Sequence, residues 1–183
     1  MSEEMIIKHC SPTLAGLKTA NIFSCEYTSE KELKSDIISL NRRLSEKGLR
    51  IIPLSKKDNR ALIYAFRPSM LLRDLTSGKA EAMLSGYGYG GKRLGAYIKR
   101  LSGRLHEKND FPHEIGLFLG YPPEDVLGFI ENDAKNFKFT GVWKVYGDED
   151  GARKTFAKYR RCTDVYMRHY ASGKSIEHLT VRT

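Results

Sequence analysis

Residues 29–66 carry the pattern that most limits the fold. Ser29 stands three residues before Glu32, the spacing of a capping box. Leu33, Ile37, Leu40 and Leu44 then recur at steps of 4, 3 and 4, the stripe of a helix with one apolar face, and Gly48 ends it. Two short apolar, β-rich runs follow directly, 49–54 (LRIIPL) and 61–66 (ALIYAF), separated by SKKDNR, whose Asp-Asn pair suits a hairpin turn. Pro53 cannot donate to a sheet ladder, so the first of these strands belongs at an edge.

The remaining segments extend this pattern. Residues 11–23 (SPTLAGLKTANIF) read as a short helix, with Ser11 as cap, Pro12 in the first helical position and Leu14, Leu17 and Phe23 on roughly one face. After Arg67-Pro68, Ser69 opens a short helix to Leu75, and a second helical piece covers roughly 79–85. The glycine-rich GYGYGG (86–91) interrupts. Leu94, Ile98, Leu101 and Leu105 then mark a helix with Arg93, Arg100 and Arg104 on the adjoining face. The run 113–120 (HEIGLFLG) is short and apolar, and periodicity does not decide between a buried strand and a helical turn. Pro122-Pro123 before Glu124-Asp125 is a helix start. From Phe137, the residues Phe139, Trp143 and Val145 alternate with Lys138, Thr140 and Lys144, as in a strand with one buried face. Asp148 caps a last long helix to about Tyr170. Strands, then helices, then a strand and a helix predict an α+β fold: a small mixed or antiparallel sheet with helices packed mainly on one face.

A chain of 183 residues is long enough to form one domain, 1–183, without a disulfide or metal staple. No run of about 18 apolar residues is present to span a bilayer. The start, MSEEMIIKHC, lacks the basic and apolar regions of a signal peptide, and the three cysteines are odd in number and widely spaced; both point to the cytoplasm. Charge is uneven. Residues 42–104 hold 15 basic and 4 acidic side chains, whereas 105–183 balance at 12 of each. A field of this kind favours an anionic partner, and Lys92, Arg93, Lys99, Arg100 and Arg104 are the candidate anion-binding residues. An acidic protein is the expected partner. No zinc-finger, basic-region or aromatic RNA-binding motif accompanies the charge, so nucleic acid is less favoured.

The candidate catalytic group is Cys10. Standing just before Ser11-Pro12, it occupies the start of the expected helix, where dipole and free N–H groups lower a thiol pKa. His113 is the candidate base and Glu114 its orienter, on cysteine–histidine–carboxylate logic. Neighbouring His9 is less suited, because sequence neighbours seldom face each other. The bland alternative is a buried hydrophobe at Cys10 and a loop histidine at 113. The stretch 86–92 satisfies GxxxxGK, yet Arg93 stands where a magnesium-binding Ser or Thr belongs, and the preceding AEAML reads as helix. A connector is the better reading, with Tyr87 and Tyr89 available to stack on a flat ligand. No CxxC, HxH or HExxH occurs, so no metal site is expected.

HCSPTLAGLKTANIF, FPHEIGLFLGYPPEDVLGFI, GVWKVYGD, CTDVY and IEHLTV together resemble the bacterial family known as domain of unknown function 3793. The resemblance implies a single-domain cytoplasmic protein of clostridia and related anaerobes, and it implies no cofactor or reaction. Two functional expectations follow from the residues: a thiol-dependent protein built on Cys10 and His113, or a non-enzymatic basic module docking through the 92–104 helix. A third is a ligand-binding domain that uses its aromatic residues.

Overall fold

The structure is a computed structural model that describes residues 1–91, 93–107 and 111–182. Within the span expected as one domain, the chain groups into two compact units, Met1–Leu71 with Cys162–Thr183, and Leu72–Arg161. The fold is α+β.

The first unit opens with α1, Glu3–Leu14, capped by Ser2, whose hydroxyl accepts from the Met5 amide. This corrects the expected helix at 11–23. Ile6, Ile7, Cys10 and Leu14 form a stripe that buries one face, so the helix begins eight residues earlier and Pro12 falls in its last turn. Gly16, at a φ of +70°, supplies the left-handed residue that ends the helix. The chain then extends as β1, Ala20–Glu26, whose first four residues had been expected as the end of that helix. α2, Glu30–Leu44, follows as predicted, with Ser29 accepting from the Glu32 amide and Leu33, Ile37, Leu40 and Leu44 buried. A 3-10 turn at Ser45–Lys47 leads into β2, Arg50–Lys57, and β3, Arg60–Phe66.

β2 and β3 are joined by Asp58 and Asn59, with φ of +50° and +58°, the conformation a two-residue hairpin requires. The sheet is antiparallel in the order β1-β3-β2, so the Pro53 strand is at the edge as expected, with a register shift between Pro53 and Ser55. Phe23, Cys25, Ile51, Ala61, Ile63 and Ala65 pack into one core with α1, α2 and the short C-terminal helix α9, Ile176–Leu179. Arg67 is fully buried and donates to the carbonyls of Thr13, Leu14, Lys47 and Val181, which binds the end of α1, the 3-10 turn and the C-terminal segment of this unit to one fork.

The chain reaches the second unit through α3, Pro68–Leu75, and continues with α4, Gly78–Gly86, α5, Leu94–Arg104, α6, Ile115–Phe118, and α7, Pro123–Glu131. The run 113–120 is therefore a helical turn. The expected strand from Phe137 is instead a small hairpin, β4, Phe139–Thr140, and β5, Lys144–Val145. The reversal is set by Gly141, whose amide donates to the Trp143 carbonyl, and which lies so close to the Phe156 ring that a Cβ would come within 2.3 Å of it. α8, Glu149–Ala171, starts at Asp148, which accepts from the Gly151 amide. Val145, Ala152 and Phe156 form a small core under the hairpin, with Phe139 and Trp143 against it.

Candidate functional site

Cys10 is in the interior of α1, not at its start. It has no exposed surface, and burial pushes its thiol up to about 12, against a smaller opposing effect from the Lys18 ammonium. The dipole effect that motivated the thiol expectation is confined to a helix's first turn, which here holds Glu3 and Glu4. Lys18 is itself buried, donates to the Ala20 carbonyl at 2.5 Å, and burial lowers its pKa to about 8. Cys10 belongs to the first unit, and His113 and Glu114 to the second. His9 stacks on Phe23, with ring centroids 5.1 Å apart.

Glu114 serves a different partner from the one expected. It is 1% exposed, and both carboxylate oxygens face Arg104, while the Tyr89 hydroxyl donates to Oε1 at 2.9 Å. The pairing holds the Arg104 guanidinium above its ordinary pKa, and burial followed by the Glu114 charge raises that of Tyr89. Tyr89 is a core residue, packed on Tyr97 and Phe118, and does not offer a face to a ligand. Tyr87 lies under the Arg104 guanidinium at 5.1 Å, and its carbonyl accepts from Arg100. Arg100 and Arg104 also pair with Glu107. Arg100 and Arg104, two of the three arginines of the expected basic face, thus hold the glycine-rich segment and α6 in place. Arg93 and Lys99 are exposed, and Lys92 lies outside the described residues.

His113, by contrast, is at the surface and opens on a cavity of about 330 Å³ inside the second unit. Its ring is 6.0 Å from Phe111 and 5.0 Å from Phe129. Tyr121 and Trp143, stacked at 4.8 Å, also line the cavity, as do Ile115, Val126 and Val142. Phe111 is 54% and Val142 42% exposed, so the lining reaches solvent as large apolar side chains. Gly116 permits the close approach of α6 to α7: a Cβ there would meet Val126 at 2.7 Å.

Among the described residues the polar groups of the lining are few. Asp125, in the first turn of α7 and 3% exposed, accepts from the Trp143 indole at 2.7 Å and from the amides of Tyr146 and Gly147, each at 2.8 Å. This one carboxylate fixes the indole plane and ties α7 to the end of the hairpin. Thr140 and Lys144, cross-strand partners in the hairpin, also line the cavity. The Lys144 ammonium donates to the Ala134 carbonyl at 2.7 Å and lies 4.7 Å from the Phe137 ring and 5.8 Å from that of Phe129.

Of the described residues expected to act as catalytic, anion-binding or stacking groups, only His113 reaches this cavity. Sequence alone makes Asp125 a helix-start acid and Trp143 and Lys144 strand residues, and assigns Phe129 no role. Their signal was present: all four fall in the segments FPHEIGLFLGYPPEDVLGFI and GVWKVYGD that carry the family resemblance. Among the described residues, no group of three or more histidine, cysteine or acidic side chains is placed to hold a metal ion. Nor is any described helix long and apolar enough to cross a membrane.

Fold and cavity together define a small α+β protein with an aromatic-walled pocket in its second unit. The chain belongs to the family of proteins of unknown function DUF3793, whose model matches residues 6–180. No curated protein and no solved structure matches it.

Proposed function

We propose that this protein is a non-enzymatic binding module that holds a small flat ring in the aromatic cavity of its second unit. The observation that carries this reading is the convergence of five ring side chains, Phe111, His113, Tyr121, Phe129 and Trp143, on one cavity of about 330 Å³. That volume is at the small end of ligand pockets, matched to one or two fused rings. Stacked and edge-on ring contacts favour a planar guest. The cavity's carboxylate, Asp125, has a structural part, because three donors already take up most of its acceptor capacity. A cytoplasmic setting is part of the same proposal, supported by three cysteines none of which is in a disulfide.

The test is a titration with Prodan, a neutral naphthalene dye whose emission rises in apolar surroundings. Wild-type protein is expected to enhance the emission and to transfer energy from Trp143. Phe111→Ala and Val142→Phe alter exposed positions of the lining and leave the fold intact; each is expected to weaken binding at least fivefold. No enhancement, or enhancement indifferent to both variants, removes the reading.

A second reading retains the basic docking module for an acidic partner. Its support has moved from α5 to α8, where Lys154, Lys158, Arg160 and Arg161 are exposed and form no ion pair among the described residues. Heparin retention that falls steeply with salt is its expected signature. The thiol reading keeps one support, the Lys18 charge beside Cys10, and burial opposes it.

A further inference from the structure

We infer that the guest of this cavity is a planar aromatic anion, its charged group met by Lys144. The inference rests on the ring-binding reading above and adds the chemical class of the ligand.

Among the described residues Lys144 is the one lysine of the lining, and its surroundings are unusual for an ammonium. It is half-buried, two phenyl faces flank it, and of its three N–H donors one is taken, by the Ala134 carbonyl. Among the described residues no carboxylate lies within ion-pair distance of it. A partly desolvated cation without a counter-charge is costly, and aromatic faces return only part of that cost. The cavity's own acid does not supply the charge, since the indole and two amides already satisfy Asp125.

The pocket therefore pairs ring-stacking walls with a positive charge that no described carboxylate answers. A cationic guest, the usual occupant of an aromatic cage, meets Lys144 as a like charge. A neutral ring gains stacking alone. A ring bearing a carboxylate gains stacking together with a charge-assisted hydrogen bond to the spare ammonium donors. Thr140 lies directly across the hairpin from Lys144 and also lines the cavity, which places a hydroxyl on the same polar edge.

Calorimetric titration of the full chain with three probes sharing one ring separates these cases: 2-naphthoate, 2-naphthamide and 2-naphthylmethylammonium. Naphthoate is expected to bind at least tenfold more tightly than the amide, and the ammonium compound weakest. Lys144→Met keeps the apolar stem and is expected to abolish the preference for the acid while preserving amide binding. Lys144→Arg keeps the charge and is expected to retain the preference, and it secures the comparison if the Met variant folds poorly. Amide binding equal to or tighter than that of the acid overturns the inference and leaves the ring site standing, as does a preference that survives in Lys144→Met. Failure of all three probes to bind overturns the ring-binding reading and this inference together.

Discussion

The Asp125 carboxylate offers the sharpest quantitative test of the site. Truncation to alanine removes the acceptor for three donors at once: the Trp143 indole at 2.7 Å and the Tyr146 and Gly147 amides at 2.8 Å. A hydrogen bond to a charged group contributes about 1.5–3 kcal/mol net, so the gross loss is about 5–9 kcal/mol. Two corrections reduce it. The three donors belong to partly exposed residues, so water replaces part of the lost bonding, and removal of Asp125 also relieves the desolvation of a carboxylate that is 3% exposed. The expected net cost is about 3 kcal/mol. With a urea dependence of about 1 kcal/mol per molar for a unit of this size, the midpoint falls by roughly 3 M.

Asp125→Asn separates charge from geometry. The amide oxygen still accepts from the two backbone N–H groups, but the amide nitrogen then faces the indole N–H, donor against donor, and about half the cost is expected, roughly 1.5 kcal/mol. Trp143 is the only tryptophan, so its emission reports this unit directly and should shift to the red in Asp125→Ala as the indole N–H turns to water. In a double-mutant cycle followed by circular dichroism, Trp143→Phe should relieve much of the Asn penalty. A midpoint shift under about 0.5 M for Asp125→Ala, with unchanged emission, would refute the argument that this carboxylate organises the pocket.

Other expectations follow from the same geometry. Arg67→Met strips the donors from four carbonyls in the first unit and should destabilise that unit by about 3 kcal/mol or more; Arg67→Lys should rescue little of this, because an ammonium lacks the planar fork, and urea melts of both variants check it. With a thiol pKa near 12, the Cys10 thiolate is about one part in ten thousand at pH 8, so iodoacetamide should spare it in the native protein and modify it in urea; rapid native labelling, read by mass spectrometry, contradicts its placement. Arg43 holds the Glu177 carboxyl down to about 2, from an ordinary 4.5. The unfolded chain takes up that proton first, so the pair's contribution is present above 4.5 and is lost as pH falls toward 2. Both side chains are about one-third exposed, which screens the gain to about 1 kcal/mol at most, and Glu177→Gln should flatten the acid limb of stability against pH by that amount.

What was legible in the sequence is what local chemistry decides. Ser29 with its apolar stripe, Asp58-Asn59 between two β-rich runs, and Asp148 before a long helix each name their own structure within a few residues, and the α+β class follows from them. The first 26 residues misled for the same reason. Ser11-Pro12 has the composition of a helix start, yet the stripe Ile6, Ile7, Cys10 and Leu14 places it at a helix end, and the apolar face of α1 outweighs the local signal of Pro12. Trp143 was correctly assigned to an apolar face. That its indole is held by a carboxylate 18 residues away is a tertiary fact with no local signature.

Charge shows the limit most clearly. Counting by segment pointed to residues 42–104, with 15 basic and 4 acidic side chains, as the place where an anion would bind. Folding gives Arg100 and Arg104 partners in Glu107 and Glu114, so cations prominent in that count are spent on structure. Lys144 comes from residues 105–183, where the formal balance is zero, and it faces aromatic rings with no acid beside it among the described residues. Formal charge along a chain sets a long-range field, which governs encounter and salt dependence. A binding cation is defined by desolvation and by the absence of a neutralising neighbour. Both arise only when distant segments pack together, so the residue that matters most to an anionic guest can lie where the sequence looks electrically neutral.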